Sequence, residues 1–277
     1  MLAPIIVAAL FAAPADSSEN SAVESFKLEL GAQAYFTRLA GNFDDGTSTV
    51  SVEDIGLNDS TIAIDASFTV HDGKFHTSLQ GLSFRASGSG TAVETMSFEG
   101  ITVGSGDTFT SSFDEWTFGA RVAYDMWEPY AAEAGAKPTK SLNAFSFTIQ
   151  AIVALDFINI SRTISDTTTI TTFEGNDSFL VPMVGGGFEV GFDVKNYVPL
   201  VERLEIYTDA LIGGTMPLQS DGGFGMALNI DAGCRLRVTH NLAFTVGYQL
   251  VGGSYDGRDI DLTGSLQGIV VGASWKF

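Results

Sequence analysis

Segments in which apolar and polar residues alternate recur along most of this chain, each near or above the roughly 9 to 11 residues that cross a bilayer as a tilted strand. They run over about 24–38, 60–71, 74–87, 113–127, 142–162, 178–194, 202–214, 224–239, 241–253 and 261–277. Period two gives each strand two unlike faces. The chain is 45% hydrophobic and only 17% charged, with 31 glycines. A soluble domain carries roughly 25% charged residues. Yet no window after the N-terminus approaches the ~18 to 20 continuous apolar residues of a transmembrane helix. A hydrophobic chain without hydrophobic helices is what a transmembrane barrel produces, because only half of each strand meets lipid. The expected fold is all-β: a closed antiparallel transmembrane β-barrel of about ten strands, with eight or twelve as the alternatives.

The faces are consistent within most strands. In the eighth, Met226, Leu228, Ile230, Ala232, Cys234, Leu236 and Val238 share one side, and Asn229, Asp231, Gly233, Arg235 and Arg237 the other. In the fifth, Phe145, Phe147, Ile149, Ala151, Val153, Leu155 and Phe157 would meet lipid, while Ser146, Thr148, Gln150, Ala154 and Asp156 look inward with Ile152 as an apolar exception. A soluble sandwich also alternates, but its strands are shorter, with a mode near 5 to 6 residues.

The connections after the odd-numbered strands are mostly the longer ones, such as Ala40 to Asp59 and Gly88 to Ser112. The others include the tight turn at His71-Asp72-Gly73-Lys74 and the polar Thr239-His240-Asn241. Long loops on one side and short turns on the other is the outer-membrane asymmetry, with both termini on the short-turn side. The stretch from Trp127 to Ser141 is long for that side and suits a short helical turn. Pairing His71 with Lys74 would set Thr69 opposite His76, Ser67 opposite Ser78 and Asp65 opposite Gln80. Tyr124, Trp127, Tyr130, Tyr197, Trp275 and Phe277 collect at the short-turn ends, where aromatic girdles sit at the headgroup level.

The final strand, IVVGASWKF, places Ile269, Val271, Ala273, Trp275 and Phe277 on one greasy face with Gly272, Ser274 and Lys276 between them. It resembles the C-terminal signal strand of bacterial outer-membrane β-barrel proteins. Elsewhere the resemblance is architectural, to small OmpA-like or porin-like barrels. The resemblance implies residence in the outer membrane, recognition by the barrel assembly machinery, and lipid and lipopolysaccharide as neighbours of a monomer. The apolar run Leu2 to Ala13 followed by Ala13-Pro14-Ala15 reads as a signal peptide over 1–15 without its usual basic start, leaving 16–277 as one barrel domain.

A net charge of −19, from 14 Lys plus Arg against 33 Asp plus Glu, argues against nucleic acid as a partner. Cys234 is the single cysteine, so no disulfide forms within the chain. The histidines His71, His76 and His240 lie at or beside short turns. His76 and Ser78 resemble the His-x-Ser pair of barrel enzymes that deacylate lipid A, but that chemistry needs an acid behind the base, and the sequence places none with assurance. Asp44-Asp45 and Glu53-Asp54 lack the spacing of a calcium loop, no compact zinc spacing exists, and Gly185-Gly186-Gly187 lacks the setting of a phosphate loop. No cofactor, metal or catalytic residue is expected. The inward charges Glu29, Asp65, Arg121, Asp156, Glu189, Asp209, Asp231, Arg235 and Arg237 are expected to fill the narrow lumen as a hydrogen-bonded plug. The reading is a non-enzymatic structural or surface-interaction protein acting through long acidic loops. A narrow cation-preferring channel and a lipid-modifying enzyme are its rivals.

Overall fold

The computed structural model describes residues 27–44, 49–98, 101–127, 145–195, 197–219 and 221–277. The expected signal peptide and the 128–144 connection, with Tyr130, lie outside these. Thirteen strands are present among the described residues: β1 (Lys27–Asp44), β2 (Thr49–Ser51), β3 (Thr61–Asp72), β4 (Phe75–Thr91), β5 (Met96–Phe98), β6 (Ile101–Val103), β7 (Thr108–Trp127), β8 (Phe145–Asp166), β9 (Thr171–Asp193), β10 (Arg203–Pro217), β11 (Gly225–Arg237), β12 (Leu242–Asp256) and β13 (Asp261–Lys276). Leaving out the short β2, β5 and β6, each strand pairs antiparallel with the next, and β13 pairs with β1 from Lys276 opposite Glu29 to Asp261 opposite Asp44. That last ladder closes a ten-strand barrel and removes both edges.

The outer surface is apolar where lipid would lie. Phe36, Ile62, Ile64, Leu79, Phe118, Val153, Val184, Ile212, Leu228, Phe244, Val246 and Ile269 are all exposed. Asn229 and Thr245, one residue away, are buried. A soluble barrel would pay heavily for such a surface, so the expected faces hold. Aromatic pairs mark both rims: Phe75 on Tyr124 and Trp127 on Phe147 at the short-turn rim, Trp116 on Phe157 at the loop rim.

Three expectations are corrected. The first hairpin pairs Asp72 with Phe75, His71 with His76, Thr69 with Ser78 and Ser67 with Gln80. Gly73, at φ 56°, and Lys74 form the turn. A glycine in the left-handed region at the first central position allows this tight reversal, and it shifts the register by two residues from the one expected.

Not every odd connection is a long loop either. β8 and β9 run on to a turn at 167–170 and β12 and β13 meet across 257–260. The Thr- and Ile-rich stretch after Ser161 alternates as a strand and behaves as one. At the β8 end Asp166 accepts hydrogen bonds from Thr169 and Thr168, which hold its carboxyl below the ordinary range.

The interior is not closed by charge alone. Its loop-side half is apolar: Leu39, Phe43, Phe84, Phe113, Ile158, Ile160, Ile164, Phe179 and Leu262 point inward and are buried. The first loop folds into the same space, where Val52, Ile55 and Leu57 are 1%, 0% and 0% exposed. Ser111 of β7 donates a hydrogen bond to the Ile55 carbonyl, and the Gly56 carbonyl lies so close to Gly88 of β4 that no side chain fits there. Arg162 sits in this layer with its guanidinium 4.4 Å from the Phe43 ring centre and 5.1 Å from that of Phe173.

Candidate functional site

The short-turn half of the lumen is polar, because in that half the apolar residues of each strand are used on the outside. It holds a cavity of about 350 Å³ lined by side chains from most strands, among them Asp65, Gln80, Arg121, Asp231, Arg235 and Gln249.

Of the nine lumen charges singled out in the sequence, the structure brings several into direct contact. Arg121 Nη1 donates to Asp209 Oδ2 at 3.0 Å. Arg235 lies 3.7 Å from Glu189 and donates to Glu205 at 3.3 Å. Arg237 Nε donates to Glu205 Oε1 at 2.6 Å. Arg203 adds a third guanidinium to Glu205 at 3.1 Å and also donates to Ser146. Glu205, which is not among the nine, is therefore the hub of the cluster.

Among the described residues, Asp65, Asp156 and Asp231 make no direct ion pair with a guanidinium. Asp231 accepts from the Tyr207 hydroxyl at 3.3 Å, Asp65 lines the cavity, and Asp156 is buried beside Gly119 with Oδ1 unpartnered. Tyr35 of β1 reaches over β13 to donate to the Gln249 carbonyl of β12 at 2.8 Å.

The histidines take a place the sequence did not show. His71 and His76 face each other across the first hairpin, with Nδ1 to Nδ1 at 2.7 Å. His71 Nε2 is 3.2 Å from Glu29, and His76 Nε2 is 2.8 Å from Asp125. An acid does stand behind His76, contrary to expectation. However, both ring nitrogens of His76 are engaged, by His71 and Asp125, so neither is directed at Ser78. An acyl-transfer nucleophile needs that hydrogen bond. His240 lies apart, exposed, 2.7 Å from Glu202. No group of three or more His, Cys, Asp or Glu is placed to hold a metal among the described residues.

The final-strand residues Ile269, Val271, Trp275 and Phe277 are exposed to the outside, with Ala273 on the same face, and the Phe277 N–H donates to the Leu28 carbonyl at 2.8 Å. Asp177, which the sequence did not single out, is fully buried. Its Oδ2 accepts the Asp259 and Ile260 N–H groups at 2.8 and 2.7 Å, tying the β12–β13 turn to β9. In that turn the Arg258 guanidinium beside Asp259 holds its carboxyl below the usual range.

A closed antiparallel barrel with an apolar outer belt and aromatic rims is an outer-membrane β-barrel, and the belt places it in that membrane. No family model matches the sequence, and no curated protein matches it. Among solved structures it is similar to Neisserial surface protein A, at 8% identity over 91% of this chain and 97% of the other, with a TM-score of 0.37. It is also similar to the outer membrane protease OmpT of Escherichia coli, at 10% over 91% and 98%, TM-score 0.40. The transport unit of the autotransporter AIDA-I from Escherichia coli gives 12% over 94% and 91%, TM-score 0.38. These proteins differ in role from one another, and none lends its role to this chain.

Proposed function

We propose that this barrel works by what its loop-side surface touches rather than by what passes through it. The observation that carries this reading is the burial of Val52, Ile55 and Leu57 inside the mouth, against Phe84, Phe113 and the inward isoleucines of β8. Apolar packing at the mouth supports this reading, because a dry constriction opposes conduction even where charges line the lumen below it. The polar half is then a closed pocket on the short-turn side. The surface beyond the mouth bears the exposed acids Asp44, Glu53, Asp54, Asp59, Glu94 and Glu174, a field that favours a positively charged partner or bridging cations between lipopolysaccharide headgroups. The enzyme reading has an acid and a base in His76 and Asp125 but no nucleophile joined to them.

Single-channel recording in planar bilayers tests the proposal. The wild-type barrel is expected to pass little or no current in potassium chloride. Replacing residues 50–57 with a Gly/Ser segment of equal length is expected to produce a conducting barrel. A large, steady wild-type current that this replacement leaves unchanged would establish a channel instead.

A further inference from the structure

Four side chains from four adjacent strands form one line at the short-turn rim of the lumen: Glu29 of β1, His71 of β3, His76 of β4 and Asp125 of β7. Their successive contacts are 3.2 Å from Glu29 Oε2 to His71 Nε2, 2.7 Å between the two Nδ1 atoms, and 2.8 Å from His76 Nε2 to Asp125 Oδ2. Each contact is of hydrogen-bond length and joins two atoms that both carry lone pairs unless one bears a proton. Three contacts therefore require three protons. The ordinary neutral-pH forms supply two, one on each imidazole and none on either carboxylate. With two, either the Nδ1 lone pairs face each other at 2.7 Å or an imidazole lone pair faces a carboxylate.

Gln150 of β8 shows where the third proton goes. Its Nε2 donates to Asp125 Oδ1 at 2.7 Å, a bond that favours the carboxylate form, and since a carboxylate (ordinarily about 3.9) is a far weaker base than an imidazole (about 6.5), the proton of the Oδ2 contact sits on His76 Nε2. We infer that the barrel holds an extra proton between His71 and His76, an imidazole–imidazolium pair set between two carboxylates.

The charges around the pair bear on both ends. Lys276 of β13 approaches His71, Arg235 and Arg237 of β11 face Glu29, Lys27 of β1 lies opposite His71 in the ladder, and Asp72 and Lys74 flank the turn. On β7, Ala123 lies opposite His76 and Arg121 opposite Ser78. Glu29 and Asp125 are the carboxylates in contact with the imidazoles, so the line carries one net negative charge with the third proton and two without it. The proton bridges β3 to β4 while the carboxylates extend the line to β1 and β7. Losing it leaves one of the three contacts as a repulsion between lone pairs, which drives a ring out of line.

The linkage has a definite sign. A proton shared along the 2.7 Å Nδ1–Nδ1 contact stays with the folded barrel at pH values where the separate imidazoles of the unfolded chain, ordinarily near 6.5, have released theirs. The folding equilibrium then weakens by about tenfold per pH unit as pH rises, until the folded barrel also releases it.

The full-length barrel, folded in detergent micelles with ¹⁵N-labelled histidine, tests this directly. A scalar coupling between the two Nδ1 nuclei is expected at neutral pH, since only a proton shared along the N–H···N axis transmits it. Reversible guanidinium unfolding should show the one-proton slope in the wild type and in His240→Gln, and lose it in His71→Gln and His76→Gln. Absence of the coupling, with both histidines titrating as separate ordinary imidazoles, would overturn the inference without any variant. So would retention of the wild-type slope in both His71→Gln and His76→Gln.

Discussion

Glu205 shows how much a single buried carboxylate can organise. It is 3% exposed and meets Arg203, Arg235 and Arg237, a ratio of charges that only the geometry of adjacent strands produces. Arg203 lies two residues before it on β10, while Arg235 and Arg237 lie opposite Glu205 and Arg203 on β11. Replacing Glu205 with glutamine keeps the shape and removes the charge, leaving three guanidiniums in a confined space with Glu189, 3.7 Å from Arg235, and Glu29 to balance them. Stranding buried charge in this way costs about 3 to 5 kcal/mol. The expected outcome is a loss of that order in guanidinium unfolding of the folded barrel, larger than for Asp65→Asn, whose carboxylate makes no such contacts. Alternation in the sequence places Arg235 and Arg237 on an inward face. It could not rank Glu205 above its neighbours, because rank depends on which strands become adjacent and in what register.

At the scale of elements, the buried Asp177 makes the clearest case. It joins the long β8–β9 hairpin to the turn before β13 through two backbone N–H groups. Hydrogen bonds to a charged group contribute about 1.5 to 3 kcal/mol each. Asp177→Ala should therefore free the 257–260 turn while the barrel stays closed, seen as faster amide exchange at Asp259 and Ile260 with exchange in β10 unchanged. Unchanged protection at those two amides would show that the turn holds itself. All ten wall strands were readable from alternation, since lipid on one side enforces a strict period of two. The first hairpin's register was not, because Asp72-Gly73-Lys74 admits two turns and only the φ of Gly73 decides between them. That slip of two residues preserved every face and so left the barrel intact. It hid only the meeting of His71 with His76.

The whole molecule reverses its own pattern partway up. Along β8 the apolar side is odd-numbered and outward from Phe145 to Phe157, then even-numbered and inward at Ile158, Ile160 and Ile164, with Asn159, Ser161 and Thr163 turned outside. Leu39 and Phe43 in β1 and Phe109 and Phe113 in β7 likewise point inward beyond the belt. Lipid bathes the wall below the reversal and water above it, so the upper part is built like a soluble barrel with an apolar core. This change of phase was present in the sequence, and it is the signal that places the membrane edge near Trp116 and Phe157. At about 3.4 Å per residue and a tilt of ~40°, the 22 residues of β8 rise roughly 55 Å along the barrel axis, more than twice an apolar band of ~25 Å. The β7–β9 wall should thus stand well clear of the bilayer. With Cys234, which lies on the outward face, first replaced by serine, single cysteines at Val153 and Val184 are expected to react only with a lipid-soluble maleimide in vesicles. Cysteines at Ser161 and Ser165, on the same outer face of β8, should react with a membrane-impermeant one. Protection of Ser161 and Ser165 from the impermeant reagent would mean that lipid reaches the upper wall, and the reversal of faces would then need another cause.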